Sequence, residues 1–165
     1  MTVVLAAALS GCTGGTAENA RAGAQTPPAR TPSTDSTPSA TSPAPAGITK
    51  PIIIELGDQH IAGELDDSAA SASLIDQLPL TLSFRDYGGQ EKVAELPAPL
   101  NLDGAPNGSD AAPLTIGYYV PDQRLILYYE EVGYHAGIVP IGTYEKADAV
   151  QGQTSEFTVT IRQAG

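Results

Sequence analysis

One cysteine, no tryptophan, two histidines and eight lysines and arginines in 165 residues close off several kinds of protein. A single thiol forms no disulfide within the chain, so the fold has to rest on packing. The two imidazoles, His60 and His135, stand in no His-x-His or His-Glu-x-x-His pattern, and no second cysteine completes a ligand set, so no metal site is expected. Nineteen acidic residues leave a net charge of −11. The cations beyond residue 47 (Lys50, Arg85, Lys92, Arg124, Lys146 and Arg162) never cluster. A nucleic-acid surface needs a basic patch or stripe, so that class of partner is excluded. The loop carboxylates Asp58, Asp103 and Asp110 lack the spacing of a calcium loop. No Gly-x-Ser-x-Gly elbow and no complete glycine phosphate loop occur, so no catalytic residue and no cofactor is assigned.

What is present begins with Cys12. The run Val3-Val4-Leu5-Ala6-Ala7-Ala8-Leu9-Ser10-Gly11-Cys12 resembles the signal peptide and lipobox of a bacterial lipoprotein precursor, although Met1-Thr2 supplies no basic start. The resemblance implies diacylation of the Cys12 thiol, cleavage just before it, and a mature protein held on the outer face of the cell membrane. The run is too short to span a bilayer, which takes about 20 apolar residues, whereas two acyl chains make a stable anchor.

Residues 13–47 follow as a tether of Thr, Ser, Ala, Pro and Gly, including Thr26-Pro27-Pro28 and Ser42-Pro43-Ala44-Pro45. Without a large apolar side chain, such a stretch cannot offset the entropy of ordering. Its composition fits a spacer through a cell wall, and the absence of any outer-membrane feature points to a Gram-positive envelope. The Thr/Ser/Pro mixture also allows O-linked sugar.

Residues 48–165 read as one domain carrying all of the net charge. Their periodicity is mostly two. Pro51 to Leu56 and Gln59 to Leu65 flank Gly57-Asp58 as a hairpin. Leu80, Leu82 and Phe84 alternate with polar residues, and Lys92 to Glu95 is a short strand expected near an edge. Leu114 to Val120 and Leu125 to Tyr129 bracket Pro121 to Arg124 as a second hairpin, and Ile138 to Gly142 and Phe157 to Ile161 supply the last strands. One helix is expected over Ser68 to Leu78, capped by Asp66 or Asp67, with Ala70, Leu74 and Leu78 on one face and a stop before Pro79. The fold class is all-β: a closed or nearly closed antiparallel barrel of about eight strands with one or two short helices, or else a β-sandwich.

Asp76 to Leu82, then Phe84-Arg85-Asp86-Tyr87-Gly88-Gly89-Gln90-Glu91-Lys92 and Leu96-Pro97, resemble a bacterial and archaeal family of cyclophilin-like proteins. Gly117-Tyr118-Tyr119, Leu125 to Tyr129 and Gly137 to Gly142 resemble its later segments, so the likeness spans about Ile52 to Ile161. It implies an eight-stranded barrel with a helix over an open end, and no particular reaction. Authentic cyclophilins isomerise X-Pro bonds with an Arg beside an apolar proline pocket. Their Phe-His-Arg segment and Phe-x-x-Gln-Gly-Gly-Asp run do not occur here, so the catalytic Arg is carried to no position.

Candidate binding residues come from the tyrosines and the glycine turns. Gly88 and Gly89 allow a turned backbone that exposes amides or simply reverses the chain. Tyr118 and Tyr119 point to opposite faces of one strand, as do Tyr128 and Tyr129, so one of each pair belongs to the core. Tyr87, Tyr119, Tyr129 and Tyr134, with His135, are the candidates for an aromatic cleft, and a His135–Glu130 pair is a conceivable base. Tyr134-His135-Ala136-Gly137 reads as a Gly-flanked loop, and Asn101 to Pro113 as a long polar loop, either a lid or an insertion. The function expected is an anchored binding lipoprotein for a peptide or small molecule. The alternatives are a weak prolyl isomerase and an interaction domain without a pocket. The anchor has a direct test: a clickable palmitate analogue fed to bacteria expressing the full chain should label it, and Cys12→Ser should abolish the label. An unlabelled wild-type chain would remove the anchor.

Overall fold

A computed structural model describes residues 48–165; Cys12 and the 13–47 tether lie outside the described residues. Ten strands form in chain order. β1 (Lys50–Leu56) and β2 (Gln59–Leu65) make the first hairpin, and β3 (Leu80–Tyr87) and β4 (Glu91–Glu95) the second. β5 (Gly108–Ala111) is short, and β6 (Thr115–Tyr119) and β7 (Arg124–Tyr128) make the third hairpin through a single 3-10 turn. β8 (Val132–Ala136), β9 (Ile138–Tyr144) and β10 (Phe157–Gln163) complete the set. Eight of these close into an antiparallel barrel in the order β1-β10-β3-β4-β7-β6-β9-β2, and β5 and β8 pair as a separate two-stranded sheet. Closure removes the open edges that a sandwich would have to protect.

Alternation builds the core. Ile52, Ile54 and Leu56 of β1 and Ile61 and Leu65 of β2 point inward, and Ile54 faces Ile61 on one side and Ile161 on the other across the closing strands. Each such fully buried aliphatic side chain contributes roughly 1.5–3 kcal/mol over leaving it exposed. A helix α1 (Ala69–Ile75) adds Ala70 and Leu74 to this core, and a helix α2 (Ala147–Gln151) adds Val150.

Four sequence expectations are corrected. The first helix ends at Ile75, three residues early, and Ser68 is its cap, accepting the Ser71 amide on Oγ at 3.1 Å. Asp66 acts one step back: its Oδ1 accepts the Ser68 amide at 3.0 Å. Secondly, β4 is an internal strand between β3 and β7, not an edge. The third and fourth corrections concern loops: Asn101 to Pro113 contains β5, and Tyr134 to Ala136 belongs to β8. Their polar, Gly-flanked sequences conceal a ribbon that pairs Gly108 with Ala136, Ser109 with His135 and, past a bulge, Ala111 with Val132.

Lys92 faces inward from β4 and is 2 % exposed. Its Nζ donates to Asp86 Oδ1 and to the Gln153 carbonyl, both at 2.6 Å, and lies 5.0 Å from the Tyr129 ring centroid. Tyr129 Oη donates to the same Asp86 oxygen at 2.5 Å. The hydrogen bonds from Lys92 and Tyr129 hold the Asp86 carboxyl below the usual range. Removing one partner of a buried pair leaves the other charge uncompensated; without Asp86 that charge is the buried Lys92 ammonium, and without Lys92 it is the partly solvated Asp86 carboxylate. In a urea titration Asp86→Ala should therefore lower stability by about 2–3 kcal/mol, below the roughly 3–5 kcal/mol of a fully buried pair because Asp86 is partly solvated. Lys92→Met should cost clearly less in the same urea titration. Equal losses would mean that the ion pair does not organise this end of the barrel.

Candidate functional site

The strands β4, β7, β6 and β9 bury both of their faces. Leu125, Leu127 and Tyr129 point into the barrel, whereas Val93, Ile126, Tyr128 and Ile138 form a second apolar cluster on the outside with Ala111, Val132 and Tyr119. The sequence Leu125-Ile126-Leu127-Tyr128-Tyr129 is continuously apolar for this reason, as in any strand covered on two sides. The β5–β8 ribbon packs on part of the outer cluster, and beside it the cluster lines a pocket of about 240 Å³.

Its floor is Val93, Ile126 and Ile138, with Tyr128 and Tyr119 beside them. Val132 and His135 of β8 form one wall; Tyr87, Gly88 and Gln90 form another; Glu91, Asp122 and Arg124 bring charge. Tyr119 and His135 meet edge-on with ring centroids 5.7 Å apart. Gly117 makes room for the Tyr128 ring, since a Cβ there would lie 2.8 Å from Cε2.

The turn wall is fixed from below. Gly88 and Gly89 have φ of +65° and +70°, a backbone that glycine adopts without strain. The Gly89 amide donates to Asp86 Oδ2 at 3.1 Å, and the Gln90 carbonyl accepts the amides of Tyr129 and Glu130, each at 3.1 Å. The Gly89 amide is thus consumed inside the protein and not offered to a ligand.

Of the sequence candidates, the fold brings Tyr87, Gly88, Tyr119 and His135 to this pocket. Gly89, in the same turn, does not line it. Tyr129 is a correction, because it is the inward member of its pair and its hydroxyl belongs to Asp86. Tyr134 is 71 % exposed and outside the pocket lining. The conceivable His135–Glu130 pair does not form: His135 Nδ1 lies 2.9 Å from the Ala136 carbonyl, and Glu130 accepts from Gln151 Nε2 at 3.2 Å. Sequence reasoning missed Tyr128, Glu91 and Arg124. Strand parity could have found two of them: Tyr119 pairs with Arg124, and alternation along β7 then places Ile126 and Tyr128 on the Tyr119 face.

The charges are unevenly paired. Arg124 Nη1 lies 2.9 Å from Asp122 Oδ2. Glu91, directly opposite Tyr128 on the neighbouring strand, is half-buried and makes no ion pair among the described residues. Burial pushes its carboxyl above the usual range, against smaller opposing effects of His135, Tyr128 and Arg124. Burial first, and the Glu91 charge second, push the Tyr128 hydroxyl up as well. Glu91 and Tyr128 therefore feel each other, yet the buried Tyr128 Oη has no hydrogen bond of acceptable geometry.

The chain belongs to the Cyclophilin-like family, whose sequence profile matches residues 54–162. Among solved structures it is similar to the solution structure of the hypothetical protein AF2241 from Archaeoglobus fulgidus. That likeness has a TM-score of 0.53 at 15 % identity and covers 72 % of this chain and 97 % of the other. It establishes the fold alone. No curated protein matches the sequence.

The half-buried carboxylate has a measurable consequence. A carboxyl raised in the folded state binds protons there before it does in the unfolded chain, so its contribution to stability grows as pH falls through the raised value and is lost as pH rises through it. Glu91→Gln should abolish that component of the pH–stability curve. At pH 7 it should leave stability unchanged or raised, within roughly 1 kcal/mol. A clear loss of stability at pH 7 would show that the ionised carboxylate has a partner in the native state.

Proposed function

We propose that the outer-face pocket binds one residue of an extended peptide, or a small molecule of similar size, and that the chain is a binding lipoprotein working outside the membrane to which Cys12 anchors it. The observation that carries this is a pocket with an apolar floor of Val93, Ile126 and Ile138, themselves nearly buried, between the β8 wall and the Tyr87–Gln90 wall. Its 240 Å³ falls below the roughly 300–1,000 Å³ of drug-sized and cofactor sites, which favours a side chain or a single small ring. Among the described residues β8 has only β5 as a partner strand, and its residues Val132 and His135 border the pocket. An extended segment adding to a free strand edge gains main-chain hydrogen bonds while its alternate side chains enter a pocket.

Prolyl isomerisation is the catalytic form of this reading, and Arg124 together with membership of the Cyclophilin-like family favours it. A guanidinium beside an apolar pocket is the arrangement that stabilises a twisted prolyl amide. Arg124 is held by Asp122 through one of its nitrogens, and an arginine side chain carries five N–H donors, so others remain for a substrate. No Phe-His-Arg segment accompanies it, so Arg124 is reached by geometry and not by motif.

Both forms are tested by one set of peptides of the type Xaa-Pro-Yaa. Binding should shift the amide resonances of Val93, Tyr119, Ile126 and His135, with affinities on the order of tens of micromolar to millimolar for so small a contact. Gly117→Val should weaken it at least tenfold by displacing the Tyr128 ring. Faster cis/trans exchange that Arg124→Ala slows tenfold or more would establish catalysis. Shifts without faster exchange would leave a binding domain. The absence of any shift at millimolar peptide would overturn peptide binding.

A further inference from the structure

Charge separates the ligands that the pocket could hold. The guanidinium of Arg124 and the carboxylate of Asp122 neutralise each other at 2.9 Å, and His135 is exposed beside Tyr119. That leaves Glu91 as the carboxylate in excess at the pocket wall, half out of water and without a counter-ion among the described residues. An anionic ligand would meet this charge directly. A neutral one would complete its desolvation and return nothing, because a buried carboxylate needs a partner. A cation answers both costs. Tyr87, Tyr119 and Tyr128 line the same space, and aromatic rings attract an ammonium that has been stripped of water. The apolar floor asks for a hydrocarbon portion, and the whole chain carries −11, which steers cations toward it.

We infer that the pocket selects an ammonium group carried on a short apolar stem, as in a lysine side chain or a small alkylamine, with Glu91 as its counter-ion and the tyrosines around it. This rests on the pocket being a binding site, as proposed above, and adds the charge and shape of what enters. The stem lies over Val93, Ile126 and Ile138, and the ammonium reaches the Glu91 carboxylate. The Tyr128 hydroxyl, buried and without a hydrogen-bond partner among the described residues, donates to the same carboxylate once the ligand draws it into line.

The test compares two probes on the full chain by calorimetric titration: N-acetyl-lysine N-methylamide and its uncharged aliphatic counterpart, N-acetyl-norleucine N-methylamide. At low salt the lysine probe should bind at least about tenfold more tightly, a difference of about 1.4 kcal/mol, and Glu91→Gln should bring the two affinities together. Equal affinities in the wild-type chain would overturn the inference while leaving the pocket as a binding site. A lysine preference that survives Glu91→Gln in folded protein would also overturn it. Failure of both probes at high millimolar concentration would overturn this inference and the binding reading together. Should Glu91→Gln fail to fold, salt decides: a lysine preference that shrinks with added salt supports the ion pair, and one that ignores salt overturns it. Free n-butylamine as a competitor separates the two sources of the group, since displacement of the lysine probe shows that the ammonium and stem suffice without a peptide backbone.

Discussion

The buried ammonium of Lys92 sets the phase of the strand on which the outer face depends. Held by Asp86 and the Gln153 carbonyl, Lys92 must point inward, and alternation then sends Glu91 and Val93 outward. A one-residue slip of β4 would reverse all three, burying the Glu91 carboxylate in the barrel and removing Val93 from the pocket floor. Asp86 carries the same constraint further. It receives Lys92, the Tyr129 hydroxyl and the Gly89 amide, so the end of β7 and the turn beside the pocket are tied to one carboxylate.

The second organising fact is a sheet with two cores. A closed barrel ordinarily exposes its outer face, and the β1–β2 hairpin does so, with His60, Ala62 and Glu64 exposed between buried residues. Across β4, β7, β6 and β9 the outer face is apolar, and the small β5–β8 ribbon covers it incompletely. The pocket lies beside that ribbon. Its rigidity comes from below: Tyr144 Oη donates to the Tyr128 carbonyl at 2.8 Å, and the Leu114 amide donates to the same oxygen, also at 2.8 Å.

Family membership and chemistry point to the pocket by different routes. The Cyclophilin-like family supplies the barrel, while its solved relative supplies only the fold at 15 % identity. The isomerase reading rests on Arg124 at an apolar pocket, and the ammonium reading rests on Glu91, which is not paired with it. These can coexist on one peptide, since Arg124 and Glu91 stand on different strands, β7 and β4.

Much of the barrel was legible residue by residue. The hairpin at Gly57-Asp58, the Pro121–Arg124 reversal, the inward Leu82 and Phe84 and the single clear helical stripe all follow from periods of two and 3.6, which are local properties of the chain. The helix end was misjudged because Leu78 keeps the apolar period although the chain has already left the helix after Ile75. β5 and β8 are hidden in the sequence because Gly108-Ser109-Asp110-Ala111 carries no apolar alternation, and a bulge shifts the register before Ala111 meets Val132. Composition and turns point to Tyr87, Gly88, Tyr119 and His135, all of which line the pocket, but they offer Tyr129 where the lining holds Tyr128. Alternation says that the two face opposite ways and cannot say which way is in. That choice depends on what covers each face: Asp86 and Lys92, distant from Tyr129 in the sequence, take one side, and the ribbon takes the other. Periodicity along the chain decides the strands and the helix. Which face of each strand is buried, and which charge is left without a partner, is decided only when strands far apart in sequence close into the barrel.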